Sequence, residues 1–237
     1  MLLKDSGFRS VYRKICTFEL NDQLRERIQA CPDVDKATHV VCYGYIDPKK
    51  GLMLEVLCAG KQTSKYFHFK DTYEGERITL PASDLKDVEF DDFENLAPRF
   101  LKKLAPRIEP LKKYDAPQEV EITRTKAYDI LDEFRDFQHP DVVRVIFHKT
   151  GLQDEAVPVR VTGIGDKGCL LGAIAKKPKQ DFGVKRGDTI RFFIAKSDDG
   201  TIELHAVPAD SRKSEQDALN DGSLPETMRC SISERSQ

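Results

Sequence analysis

The 237-residue sequence contains no tryptophan, which removes one common anchor of protein interfaces. It also has no CxxC pair. Its six cysteines, Cys16, Cys31, Cys42, Cys58, Cys169 and Cys230, repeat no short spacing, so neither a zinc site nor a disulfide framework is expected. In a reducing compartment they read as small buried hydrophobes. An excess of one charge is missing too: 38 Lys and Arg stand against 40 Asp and Glu, a formal net charge of −2. No global field would steer such a chain onto nucleic acid or an anionic membrane, so any such role needs a local patch.

No apolar run approaches the roughly 20 residues of a membrane-spanning helix. The start, MLLKDSGFRSVYRKICTF, lacks the apolar core and small-residue cleavage site of a signal peptide. A cytoplasmic protein without a membrane partner is the expectation. Signatures of catalysis are absent as well: no HExxH, GxSxG, GxxxxGK[ST] or Cys–His pattern occurs. The expectation is therefore a non-enzyme with no cofactor and no metal.

What is present describes an α+β chain of two small domains. Residues 11–20 read as a strand, and Asn21 or Asp22 can cap a short helix that Pro32 follows. The β-branched run THVVCYGYI at 38–46, the turn Asp47-Pro48-Lys49-Lys50-Gly51 and LMLEVLC at 52–58 spell a hairpin. Further strands are expected at 64–70 and 77–80, and a helix over 91–104. Together these predict an N-terminal domain at 1–105, a sheet with helices on one face. Pro106, Pro110 and Pro117 make 106–118 an extended linker. Tyr128, Leu131, Phe134 and Phe137 recur at helical spacing and predict a helix over 124–138. Strands at 142–148, 156–164, 168–175, 189–195 and 201–207 then predict a C-terminal domain at 119–210, a curved antiparallel sheet or partly open barrel. The polar stretch 211–237 has no apolar periodicity and is expected to be a disordered tail.

Few residues stand out as candidate chemistry. His39, His68, His139, His148 and His205 sit singly, four of them in expected strands; His39 and Cys42, three apart, face opposite ways. Paired carboxylates such as Asp91-Asp92 and Asp154-Glu155 are unsurprising where 33% of residues are charged. The glycines of Gly163-Ile164-Gly165-Asp166-Lys167-Gly168 resemble GxGxxG, but no helix follows, so a hairpin turn explains them better. The sharper feature is a basic stretch between two apolar runs: Lys176, Lys177, Lys179, Lys185, Arg186 and Arg191, opposed locally only by Asp181 and Asp188. A nucleic-acid surface would interleave such charge with stacking aromatics, here Phe182, Phe192 and Phe193. A protein-binding loop is the favoured reading, and a nucleic-acid-binding module is the alternative.

The order ILDEFRDFQHP, VVRVIFHKTGLQDEAVPVRVTGI, GCLLGAIAKKP, VKRGDTIRFFI resembles a small family of uncharacterised bacterial β-rich domains, some encoded near polymorphic toxins, where related proteins serve as immunity proteins. The resemblance covers about 124–195. An aromatic of that pattern, near the start of its second strand, is replaced here by Val157-Pro158-Val159. The resemblance implies a non-catalytic, toxin-neutralising type of domain in a bacterial cytoplasm, and it carries over no functional residue.

Overall fold

The computed structural model describes residues 1–63, 67–69, 72–93, 98–115, 128–165, 169–196 and 200–207. The chain is α+β and divides into two compact units, Met1–Pro117 with Phe137–Pro140, and Gln118–Asp136 with Asp141–Gln237. The polar segment 211–237 and residues 124–127 of the expected helix lie outside the described residues.

In the first unit, strands β1 (Ile15–Glu19), β2 (His39–Asp47), β3 (Gly51–Gln62), β4 (Phe67–His68), β5 (Thr79–Pro81) and β6 (Phe90–Asp92) form one sheet. Its order is β4-β3-β2-β1-β6, with β5 also on the outer edge of β3. The hairpin β2–β3 forms where its sequence places it. Asp47 Oδ1 accepts from the amides of Lys49 and Lys50 at 2.8 and 2.9 Å, and Gly51 takes a φ of 81° that a side chain would disfavour.

Both strands are buried along nearly their whole length because both sheet faces are covered. On one face Val40, Cys42, Ile46, Leu52, Leu54 and Val56 pack with Leu3 of α1 (Leu3–Ser6) and Leu24 of α2 (Asp22–Arg27). The Asn21 side chain caps α2 by accepting from Leu24 N at 2.8 Å. On the other face Val41, Tyr43, Tyr45, Met53, Leu57 and Cys58 pack with Leu104 of α3 (Pro98–Ile108) and with Leu111. A bulge, where pairing passes from Val41↔Cys58 to Cys42↔Val56, lets adjacent Leu57 and Cys58 share that face.

Two expectations fail around α3. Its expected start at 91 is occupied by β6, and the described part of the expected linker, 106–115, is helical, with α3 reaching Ile108 and a 3₁₀ segment following over Glu109–Asp115; residues 116–118 lie outside the described residues. Pro98 does not break the helix because it is the first helical residue, where its missing N–H costs nothing. Leu104, Ile108, Leu111 and Tyr114 then bury against the sheet, and that burial outweighs the prolines at 106 and 110.

The second unit is a closed five-stranded barrel of β7 (Val142–Phe147), β8 (Glu155–Ile164), β9 (Leu170–Ile174), β10 (Thr189–Lys196) and β11 (Ile202–Ala206). Neighbours in sequence pair antiparallel. With an odd number of alternating strands the first and last must run the same way, so the seam β11–β7 is parallel, with the single pairing His205↔Ile146. Alternate residues point inward: Val143, Val145, Phe147, Val157, Val159, Val161, Ile190, Phe192 and Leu204. Gly172 leaves room at the centre, since a Cβ there would run into Val159 Cγ1 and the Arg160 carbonyl.

The described part of the expected 124–138 helix is not α-helical. A 3₁₀ segment spans Asp129–Phe134, and the chain then pairs against β7 through Arg135↔Val143 and Asp136 N to Val142 O at 2.7 Å. Strand-like pairing wins over helical continuation, and Leu131 still enters the barrel core.

Candidate partner-binding site

The basic stretch connects β9 to β10 and is a folded loop. Its ends are joined by Ile174 N to Asp188 O at 3.0 Å and Gly187 N to Ile174 O at 2.9 Å. Asp188 N donates to Lys185 O at 3.1 Å with Gly187 at φ 91°, the pattern of a type II turn. From the start of β8 the Glu155 carboxylate accepts from Lys179 N at 2.8 and 3.0 Å and from Gln180 N at 3.1 Å. Gln153 and Gln180 exchange a reciprocal pair of bonds at 3.2 and 2.7 Å, and Lys149 Nζ donates to Asp181 O at 2.9 Å. Phe182 plugs the barrel end with its ring 5.6 Å from that of Phe147.

The plug turns the charges outward. Lys176, Lys177, Lys179, Lys185 and Arg186 are exposed at the end of the β9–β10 pair, and none of their side chains bonds to a described residue. Both nearby carboxylates serve the backbone instead: Asp181 Oδ1 accepts from Gly183 N at 3.0 Å, and Asp188 Oδ2 from Lys185 N at 2.9 Å. Arg191 stands apart, exposed on the outer face of β10 opposite Leu171. The aromatics named with the loop do not join it: Phe182 and Phe192 are buried, and half-buried Phe193 lies beside His205.

Two arrangements were not foreseen. At the barrel seam Asp154, His148, His205 and Glu203 form a continuous chain. His148 Nδ1 lies 2.6 Å from Asp154 Oδ1, His148 Nε2 lies 2.7 Å from His205 Nδ1, and His205 Nε2 lies 2.9 Å from Glu203 Oε2. The ring planes differ by 13° with centroids 4.9 Å apart. The facing nitrogens are closer than stacked ring faces can approach, so the rings meet edge to edge. His148 and His205 are 57 residues apart, and only the barrel closure joins them.

In the first unit Glu55 of β3 is fully buried. Its Oε1 accepts from Arg107 Nη2 at 2.9 Å, with Arg77 Nη1 at 3.4 Å; Arg107 also donates to Gly75 O at 2.8 Å and lies over the Tyr73 ring. Burial pushes the Glu55 carboxyl above its ordinary value, against the pull of Arg77 and Arg107. The signal for this cluster was the lone acid inside LMLEVLC. Burial likewise holds the thiols of Cys16 and Cys31 up, at about 12 and about 11, and raises those of Cys42 and Cys58 well above the ordinary thiol range.

Among the described residues, no three His, Cys, Asp or Glu side chains converge as metal ligands, and no helix is long and apolar enough to cross a membrane. No protein-family model, curated protein or solved structure matches the chain.

Proposed function

We propose that this chain is a non-enzymatic protein-binding module whose basic barrel loop receives an acidic face of another protein. The observation that carries the reading is the pre-seated loop: five exposed Lys and Arg side chains without ion-pair partners among the described residues, on a backbone held by Glu155, Gln153 and Lys149. A loop already fixed loses little entropy on docking. Complementary charge then raises the association rate and selects the partner. With Phe182 and Phe192 buried, the described loop offers no stacking platform, which favours a protein over single-stranded nucleic acid. The resemblance of 124–195 to immunity-associated domains supports a toxin-neutralising role in a bacterial cytoplasm.

The test is affinity capture with the tagged full chain and with its K176A/K177A/K185A/R186A variant, at low and high salt. The expected result is a protein held by the wild type and lost by the variant. Nucleic acid that elutes steeply with salt would replace this reading by the nucleic-acid one, because phosphate contacts release counterions. Repeated recovery of no loop-dependent protein would refute it.

A further inference from the structure

We propose that Asp154, His148, His205 and Glu203 form a clasp on the barrel seam that is complete only when the two imidazoles share one extra proton. This inference stands independently of the loop's partner. It begins with the weakness of the seam. Every other pair of barrel strands is joined by four to six paired residues, whereas β11 and β7 share only His205↔Ile146. His205 is the residue at that pairing, and its ring reaches across to His148, just beyond the end of β7. The side-chain chain thus spans the place where backbone bonds are fewest.

Proton counting then fixes the state. Ionised carboxylates only accept, so Asp154 requires a hydrogen on His148 Nδ1 and Glu203 requires one on His205 Nε2. The bond between His148 Nε2 and His205 Nδ1 requires a third. Two neutral imidazoles carry two hydrogens, so one of the three bonds is missing in that state. One added proton supplies all three, and its positive charge lies between two carboxylates. A second added proton places N–H against N–H across the 2.7 Å gap and breaks the His–His bond. The clasp is therefore complete in a window of pH, short of one of its three bonds above it and broken at the centre below it.

The charged surroundings agree with a single shared positive charge. Asp154 comes from the β7–β8 turn and Glu203 from β11; Arg144 of β7 and Arg191 of β10 alternate outward on the same barrel face. Neighbouring Lys149 is engaged with the Asp181 carbonyl, β8 presents Ala156 opposite Ile146, and β10 presents Phe193 opposite His205. Two full positive charges would thus sit among two carboxylates and two arginines, while one is neutralised by its flanking acids.

The experiment is an NMR pH titration of the full chain with 15N-labelled imidazoles, for the wild type and for H148Q, H205Q and D154N. The expected result is that both rings shift together through two resolved steps, with the Ile146 and Ala206 amides moving at the same midpoints. In H148Q, His205 should titrate in one step and the two seam amides should lose their pH response. D154N should displace the step at His205, which Asp154 does not touch. Independent titration, with each midpoint unchanged when the other histidine is replaced, would overturn the proposal. Coupled rings with unmoved seam amides would overturn the clasp as well. Should a variant fail to fold, the wild-type titration decides instead: two resolved steps shared by both rings and the seam amides support the proposal, and a single step at each ring with unmoved amides overturns it.

Discussion

Replacing Arg107 by methionine leaves the fully buried Glu55 with Arg77 as its one remaining cation among the described residues, 3.4 Å away and more exposed than Arg107. The variant also loses the bond from Arg107 Nη1 to the Gly75 carbonyl and the guanidinium over Tyr73. Stranding one member of a buried pair costs about 3–5 kcal/mol, a large part of the roughly 5–15 kcal/mol that holds a domain together. Arg77 remains, so the expected loss is at the lower end, about 3 kcal/mol. The companion E55L/R107M variant removes the stranded charge as well and should return to within about 1 kcal/mol of wild type, because apolar replacement of a buried pair is close to neutral. Urea unfolding followed by tyrosine emission reads this unit selectively. With no tryptophan present, six of the seven tyrosines (all but Tyr128) fall within Met1–Pro117. A loss below about 1 kcal/mol in R107M, or a double variant as unstable as the single one, would refute the reasoning.

Four further outcomes follow from the same geometry. Because the Glu55 carboxyl is raised, the folded chain keeps its proton where the unfolded chain has released it, so this group lowers stability as pH rises from the ordinary glutamate value through the folded one. E55Q should flatten that slope, measured as urea midpoints across weakly acidic pH. Glu155→Ala removes the carboxylate that accepts from the Lys179 and Gln180 amides, at about 1.5–3 kcal/mol, and should speed tryptic cleavage within 176–186 by roughly tenfold or more. Gly172→Ala overpacks the barrel centre against Val159 and should cost about 1–3 kcal/mol, read by hydrogen exchange of the β8 and β9 amides. Peptide-level mapping of Ellman's-reagent labelling should find Cys16, Cys31, Cys42 and Cys58 unmodified until denaturant is added, since their thiols are buried and held protonated.

The legible part of the fold lies where a local rule acts. The β2–β3 hairpin follows from two β-branched runs around Asp47–Gly51, and the barrel strands follow from short apolar segments between turn residues. Elements decided by distant partners were not legible. Helix α3 and the segment after it form because Leu104 and Leu111 find the sheet face, despite Pro106 and Pro110. The expected 124–138 helix yields after Phe134 because β7 offers backbone bonds to Arg135 and Asp136. Parallel closure, and with it the meeting of His148 and His205, depends on strand number and direction, which no local window contains. For the loop, the sequence marks its charge, whereas the carboxylate of Glu155 that seats it appeared only as half of an adjacent acidic pair.

The most direct measurement for the proposed role is lysine footprinting of the full chain, free and in its captured complex. Modification rates at Lys176, Lys177, Lys179 and Lys185 are compared with those at exposed Lys49 and Lys50 of the first unit. The account predicts selective protection of the four loop lysines by a protein partner, retained after nuclease treatment. Equal reactivity of both groups in the complex, or protection that vanishes with nuclease, would contradict it.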